Sequence, residues 1–308
     1  METLAVVLEA PERLALQTLE LTPLGLGDVL VEVAWSGISA GTEKLLWSGA
    51  MPAFPGMGYP LVPGYESVGR IVEAGGDVAA RVGEWVFVPG ATCYVGARGL
   101  FGGSARHVIL PSARALPVDE ALGRDGILLA LAATAHHAVV AGALPDLVVG
   151  HGVVGRLVAR IALALGAAPP MVWETDADRR AGAGYAVVDP AADDRRDYRT
   201  ICDASGAPDI LDTLVPRLAK GGEIVLAGFY DRLSFAFPPA FQREARLRIS
   251  AEFTPADVAA VQALVAAGTL RLDGLISHVR PAADAAEAYP AAFADRACLK
   301  MVLEWSAA

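Results

Sequence analysis

Over the first 120 residues, short apolar and β-branched runs are broken by Gly, Pro and Asp. The runs at 4–9, 29–35, 67–74 and 85–89 are predicted strands. Helical spacing is scarce there. Residues 47–64 make one long loop that holds Trp47, Met51, Phe54, Met57 and Tyr59 among prolines and glycines. A loop that long and apolar either serves the function or lies as a lid on its own domain's core. From about residue 123 the pattern changes. Strand-like runs at 147–150, 171–174, 186–188, 200–203 and 223–227 alternate with helical spacing at 156–165 and 210–218. That alternation predicts a parallel, doubly wound α/β sheet. A strand at 247–251, a helix at 255–267 and a strand–helix–strand tail at 275–305 follow.

The uncharged stretch from Gly126 to Pro145 approaches the roughly 20 residues that cross a bilayer. It contains His136, His137, Gly142 and Pro145, has no basic flank and runs into a Gly-rich turn, so a buried helix followed by a strand fits it better. With 308 residues the chain has room for two domains. Its 54% hydrophobic and 19% charged residues exclude a disordered or fibrous chain. The net charge of −10, with no Lys/Arg cluster longer than a pair, argues against nucleic acid as a partner. Cys93, Cys202 and Cys298 form neither a disulfide framework nor a CxxC clip, and Met1-Glu2-Thr3-Leu4 lacks the cationic start of a signal peptide. A cytoplasmic location is the expectation.

Gly150-His151-Gly152-Val153-Val154-Gly155 is a GxGxxG between a predicted strand and helix, with Glu174 nineteen positions after its last glycine. Gly150 allows the tight turn, Gly152 lets backbone approach a pyrophosphate, and Gly155 lets helix pack on strand; the helix N-terminus faces the phosphate charge. His151 is expected beside the pyrophosphate. Glu174 ends the next strand, where a carboxylate accepts from ribose hydroxyls and repels a 2′-phosphate. Asp176 and Asp178 add to that charge, so NAD is favoured over NADP. Arg179 and Arg180 are either a rescue for NADP or solvated helix surface. His136 and His137 read as a satisfied helix pair, and His107 and His278 carry no pattern.

A β-rich start, an inserted GxGxxG domain and a strand–helix–strand return are together similar to the medium-chain dehydrogenase/reductase superfamily. Ser36-Gly37-Ile38-Ser39, the stretch Pro63-Gly64-Tyr65-Glu66-Ser67-Val68-Gly69, and Asp203-Ala204-Ser205-Gly206 fall in its order. The resemblance implies a GroES-like β domain over residues 1–122, completed by 268–308, and a Rossmann domain over 123–267. It implies a cleft between them holding NAD and an alcohol, and Ser205 among the cofactor contacts. Where the zinc enzymes of the superfamily carry ligands, this chain has Ser39, Tyr65 and an apolar residue near Ala130, and the four-cysteine lobe is missing. Hydroxyls are poor zinc ligands, so no metal is expected.

Residues 36–49 and 55–66 resemble the bacteriochlorophyllide a dehydrogenases of bacteriochlorophyll synthesis more narrowly. That family oxidises a 1-hydroxyethyl group on a bacteriochlorophyllide to acetyl. The resemblance puts Thr42, Glu43, Tyr65 and Glu66 on loops at the cleft. Without zinc, some such group must take the hydroxyl proton. Tyr65 would hydrogen-bond the substrate oxygen and Glu43 or Glu66 would relay the proton. The competing readings are ion pairs with Lys44 or Arg70 and a packed aromatic. A pigment substrate implies that Trp47, Phe54 and Tyr59 help wall the site and that Lys44 or Arg98 meets its carboxylate. A zinc-free quinone or enone reductase using NADPH, and a non-catalytic pigment-binding protein, are the alternatives. Transient membrane contact and a homodimer stay open.

Overall fold

Alternating burial builds the first set of strands. The computed structural model describes residues 1–181 and 184–306; the last two residues of the expected 268–308 segment lie outside these. β1 (Glu2–Ala10) and β2 (Arg13–Glu20) pair as an antiparallel hairpin, and β3 (Asp28–Ile38) opens a second sheet. A short helix, α1 (Thr42–Ser48), and β4 (Leu61–Val62) precede β5 (Ser67–Ala74), β6 (Trp85–Val88), β7 (Arg98–Gly99), β8 (His107–Pro111) and β9 (Leu116–Pro117). β3 pairs antiparallel with both β5 and β8, and β4 lies between β1 and β7 in the smaller sheet. Val6, Val31, Ile71, Val86 and Val108 fill the core.

The chain then enters α2 (Leu129–Val140), which takes up most of the uncharged stretch. Among the described residues no helix is long and apolar enough to cross a membrane. β10 (Leu147–Val149), α3 (Val153–Ala164), β11 (Met171–Trp173), β12 (Val187–Val188), β13 (Tyr198–Asp203), α4 (Ile210–Leu214), β14 (Leu218–Leu226), α5 (Phe237–Arg243), β15 (Arg246–Ile249) and α6 (Pro255–Ala266) follow. The six strands are all parallel, in the order β12-β11-β10-β13-β14-β15. Strand order reverses at β10, and a crevice outside the carboxyl end of such a strand is where open α/β sheets take ligands.

β16 (His278–Pro281), α7 (Ala285–Ala294) and β17 (Met301–Glu304) return to the first sheet system, β17 pairing with β3 so that Met301 faces Ile38. Two compact units result, residues 1–130 with 273–308 and residues 131–272, against expected boundaries at 122/123 and 267/268.

One element corrects the sequence reading. Thr42 and Glu43 lie in helix α1, whose Glu43 and Leu46 are buried one turn apart while Lys44 and Ser48 stay outside. Seven residues are too few for helical periodicity to stand out. β2 and β8 were also unmarked, since β2 is half-exposed along its length and gives no clean alternation.

Candidate active site

Three strand ends meet in the first unit. The end of β3 carries Ser39, the residue before β5 is Glu66, and the residue before β17 is Lys300. Gly37 N donates to Glu66 O at 2.7 Å. A Cβ at Gly37 would lie 2.4 Å from Glu66 Oε2 and 3.0 Å from Lys300 Cε, so a side chain there would intrude on these two groups. Lys300 Nζ forms an ion pair with the Glu66 carboxylate, and both side chains are buried. Glu66 thus pairs with Lys300 and not with Arg70, which pairs with Glu120. Burial raises the Glu66 carboxyl above its ordinary range, and Lys300 opposes this.

Beside that pair, Ser39 Oγ and Tyr65 Oη share a hydrogen bond of 2.7 Å, and the Thr42 side chain also reaches the phenol. Burial and then the charge of Glu66 push the Tyr65 phenol well above its usual range, so it stays protonated. Glu43 is fully buried, and its Oε1 accepts from Ser39 N at 3.3 Å. Burial first, and then the neighbouring Glu66, push its carboxyl to about 8, although Tyr289, Lys300 and the Ser39 amide pull the other way. Tyr289 Oη lies 3.3 Å from Ser104 Oγ. Thr42, Glu43, Tyr65 and Glu66 are therefore brought together. Lys300 and Tyr289 were not marked from the sequence. A lone cation within the apolar run 298–303 was the signal for Lys300; nothing local marks Tyr289.

The loop residues go elsewhere. Trp47, Met51, Met57 and Tyr59 pack on a small cluster of Leu8, Leu46, Leu61 and Leu100. The Trp47 ring lies 5.7 Å from that of Phe293, and the Tyr59 hydroxyl donates to Leu46 O. Most of this loop is thus a lid on its own core. Phe54 keeps 37% of its surface exposed. Lys44 and Arg98 are exposed, and Arg98 Nη1 donates to Tyr59 O at 3.2 Å.

In the second unit the GxGxxG leaves β10 at the strand-order reversal. A Cβ at Gly155 would sit 1.8 Å from Gly150 O, so helix and turn touch backbone to backbone. A Cβ at Gly152 would meet no protein atom within 4 Å. Gly152 caps α3 without any side-chain hydrogen bond, leaving the first-turn amides of Val153 and Val154 for an anion. That open space and those amides fit a dinucleotide pyrophosphate. Glu174 Oε2 accepts from His151 N at 3.0 Å and its Oε1 from Asp176 N at 2.8 Å, which pins the carboxylate beside the loop. Ser205 lies against Gly150, whose Cβ would be 3.2 Å from Ser205 Cα. The His151 side chain is fully buried, with Nδ1 2.6 Å from Arg179 O and Nε2 3.0 Å from Tyr185 Oη. Its contribution to the loop is its backbone.

His136 and His137 hold the two oxygens of Asp257 at 2.8 and 3.0 Å. Among the described residues no group of three or more His, Cys, Asp or Glu is placed to hold a metal ion.

Residues 25–120 match the family model described as the alcohol dehydrogenase GroES-like domain. The chain is 58% identical over 310 residues to a protein of Rhodobacter capsulatus named 2-desacetyl-2-hydroxyethyl bacteriochlorophyllide A dehydrogenase, covering 99% of each. It is 56% identical over 316 residues to a protein of the same name from Cereibacter sphaeroides, covering 100% of this chain and 99% of the other. A solved alcohol dehydrogenase of E. coli in complex with NADH superposes with a TM-score of 0.84, at 21% identity and 99% coverage of both chains. At that identity the likeness is one of fold.

Proposed function

The chain belongs to the 2-desacetyl-2-hydroxyethyl bacteriochlorophyllide A dehydrogenase family of the medium-chain dehydrogenase/reductases, and from that premise we propose its reaction. It oxidises the 1-hydroxyethyl group of a hydroxyethyl bacteriochlorophyllide a or chlorophyllide a to acetyl, with NAD as hydride acceptor. The full-length likeness to the two relatives of that name carries this reading.

A bound nicotinamide supplies the hydride acceptor. The chain's own residues must hold the alcohol oxygen and take its proton. The Ser39–Tyr65 pair suits the first task, because a phenol that stays protonated donates to the oxygen throughout. Glu43 suits the second. Its ionised form accepts the proton, and a group titrating near 8 is matched to that work. Lys300 pairs with Glu66 and opposes the upward push of burial on it, and the neighbouring Glu66 carboxyl in turn raises Glu43. Serine and phenol oxygens are poor zinc ligands and Glu66 is already paired, so this donor set does not fit the metal and supports a zinc-independent reaction.

Glu174 supports NAD over NADP. Each of its oxygens uses one lone pair on a backbone amide, and those remaining accept from ribose hydroxyls while the charge repels a 2′-phosphate. Phe54 faces the pigment, with Trp47 and Tyr59 holding the loop in shape, and Lys44 or Arg98 meets the pigment carboxylate.

The test is turnover of hydroxyethyl bacteriochlorophyllide a with NAD, read as growth of reduced-nicotinamide absorbance. Pigment oxidation should far exceed that of short secondary alcohols. Glu43→Gln should lower kcat/KM by about 10²–10⁴-fold and abolish its rise toward a plateau above pH 8. Glu174→Ala should narrow the preference for NAD. Equal turnover of the short alcohols, or no reduced nicotinamide at all, overturns the assignment.

A further inference from the structure

Phe101 is a partly exposed aromatic next to a buried neighbour. Its neighbour Leu100 is buried in the cluster with Leu8, Leu46 and Leu61, whereas Phe101 keeps 38% of its surface exposed. The exposure does not come from a loose loop. Phe101 O accepts from Ala91 N at 2.8 Å, Leu100 N and Gly102 N both donate to Val62 O at 2.9 Å, and Gly103 N donates to Gly64 O at 2.8 Å. Gly102, at φ +81°, would put a Cβ 1.8 Å from Ala91 O, and a Cβ at Gly99 would lie 2.0 Å from the same atom. The backbone on either side of Phe101 is thus clamped at closest approach, and the ring is held outward on a rigid base.

The ring also stands beside the chemistry. Its centroid is 5.7 Å from that of Tyr65, at an interplanar angle of 88°. The two rings meet edge to face, and over a third of Phe101 stays exposed beside the phenol that meets Ser39. An exposed aromatic on a fixed backbone loses little conformational freedom on binding and offers its area to a flat partner.

We propose that Phe101 is the surface on which the flat macrocycle of the substrate stacks while the neighbouring Tyr65 holds the alcohol oxygen. This rests on the function proposed above. The reacting alcohol is attached directly at the edge of the macrocycle, so a group that holds the oxygen has the ring plane immediately beside it. A short secondary alcohol has no plane to lay on Phe101. The residue therefore discriminates by substrate size and shape, and acts on binding more than on the proton or hydride.

Steady-state kinetics of Phe101→Ala and Phe101→Trp with hydroxyethyl bacteriochlorophyllide a and NAD test this. Phe101→Ala should raise KM for the pigment about tenfold, the loss of one stacked pair with its burial, and leave kcat within about twofold. KM for NAD should stay unchanged, KM for the pigment should rise more than KM for a short secondary alcohol, and Phe101→Trp should retain pigment binding. Quenching of protein fluorescence by pigment without NAD should weaken in parallel in the alanine variant. If the wild-type protein oxidises the pigment and Phe101→Ala leaves its KM unaltered, the role of Phe101 falls and the function stands. If the wild-type protein does not oxidise the pigment, both fall.

Discussion

Glu43 is a carboxyl sealed in a cluster with one buried cation, Lys300, and a second buried carboxyl, Glu66. Its folded value near 8 lies above its ordinary 4.5, so folding takes up a proton between those limits. The native state then binds more protons than the unfolded chain, and stability falls as pH rises from about 4.5 to 8. Glu43→Gln imitates the neutral acid in shape and hydrogen bonding. The variant should match the wild type in urea unfolding at pH 4.5 and exceed it at pH 9. A wild-type midpoint that does not decline over that window would mean Glu43 is ionised at no cost. The stability lost to this one group is the physical side of having a base ready near neutral pH.

At the scale of elements, the turn from β10 into α3 makes two glycines separable by experiment. The Cβ of Gly155→Ala would meet Gly150 O at 1.8 Å, so helix and strand must part. The Cβ of Gly152→Ala meets no protein atom, and Gly152 sits at an ordinary φ of −72°. Gly152→Ala should therefore stay within about 1 kcal/mol of wild-type stability. It should still weaken NADH binding tenfold or more, because the methyl group stands where the pyrophosphate has to approach. Gly155→Ala should lose stability and binding together. Thermal unfolding and NADH fluorescence titration separate the two; equal behaviour of the variants would contradict this account of the loop.

Across the whole molecule, buried carboxyls pull the pH dependence in two directions. Glu43, Glu66 and Asp203 are raised, chiefly by burial, and destabilise the fold as they ionise. Asp257 is the counterweight. Burial alone would raise it, but hydrogen bonds from Thr254, His136 and His137 prevail and hold it at about 2, below its ordinary 3.8. Its contribution is complete above 3.8 and is lost as pH falls toward 2. Through Glu43 and Asp257, stability should decline both as pH rises above about 4.5 and as it falls below 3.8. Asp257→Asn should cost about 2 kcal/mol at pH 7 and flatten the acid limb, as measured by urea unfolding from pH 2 to 7. An unchanged acid limb would show that the two histidines add nothing through Asp257.

Much of the second unit was determined by the sequence itself. Its parallel strands are short apolar runs, its turn is a spaced set of glycines, and its acidic partner follows at a set distance, all of them local signals that survive without the fold. The β-rich character of the first unit and the residue types of its polar cluster were equally legible, because Ser39, Thr42, Glu43, Tyr65 and Glu66 lie within two short segments. Only the tertiary structure decided what those groups do to one another. Lys300 comes from the far end of the chain, and the β17–β3 pairing brings it to Glu66. Tyr289 arrives on α7. The apolar loop was legible as a loop, but which of its side chains pack inward on Leu8 and Leu61 depends on strands that it does not adjoin in sequence. The outward ring of Phe101 is set by amides and glycines on neighbouring segments. Charge pairing, burial and exposure are sums over neighbours from distant parts of the chain, and those neighbours exist only once the strands have paired.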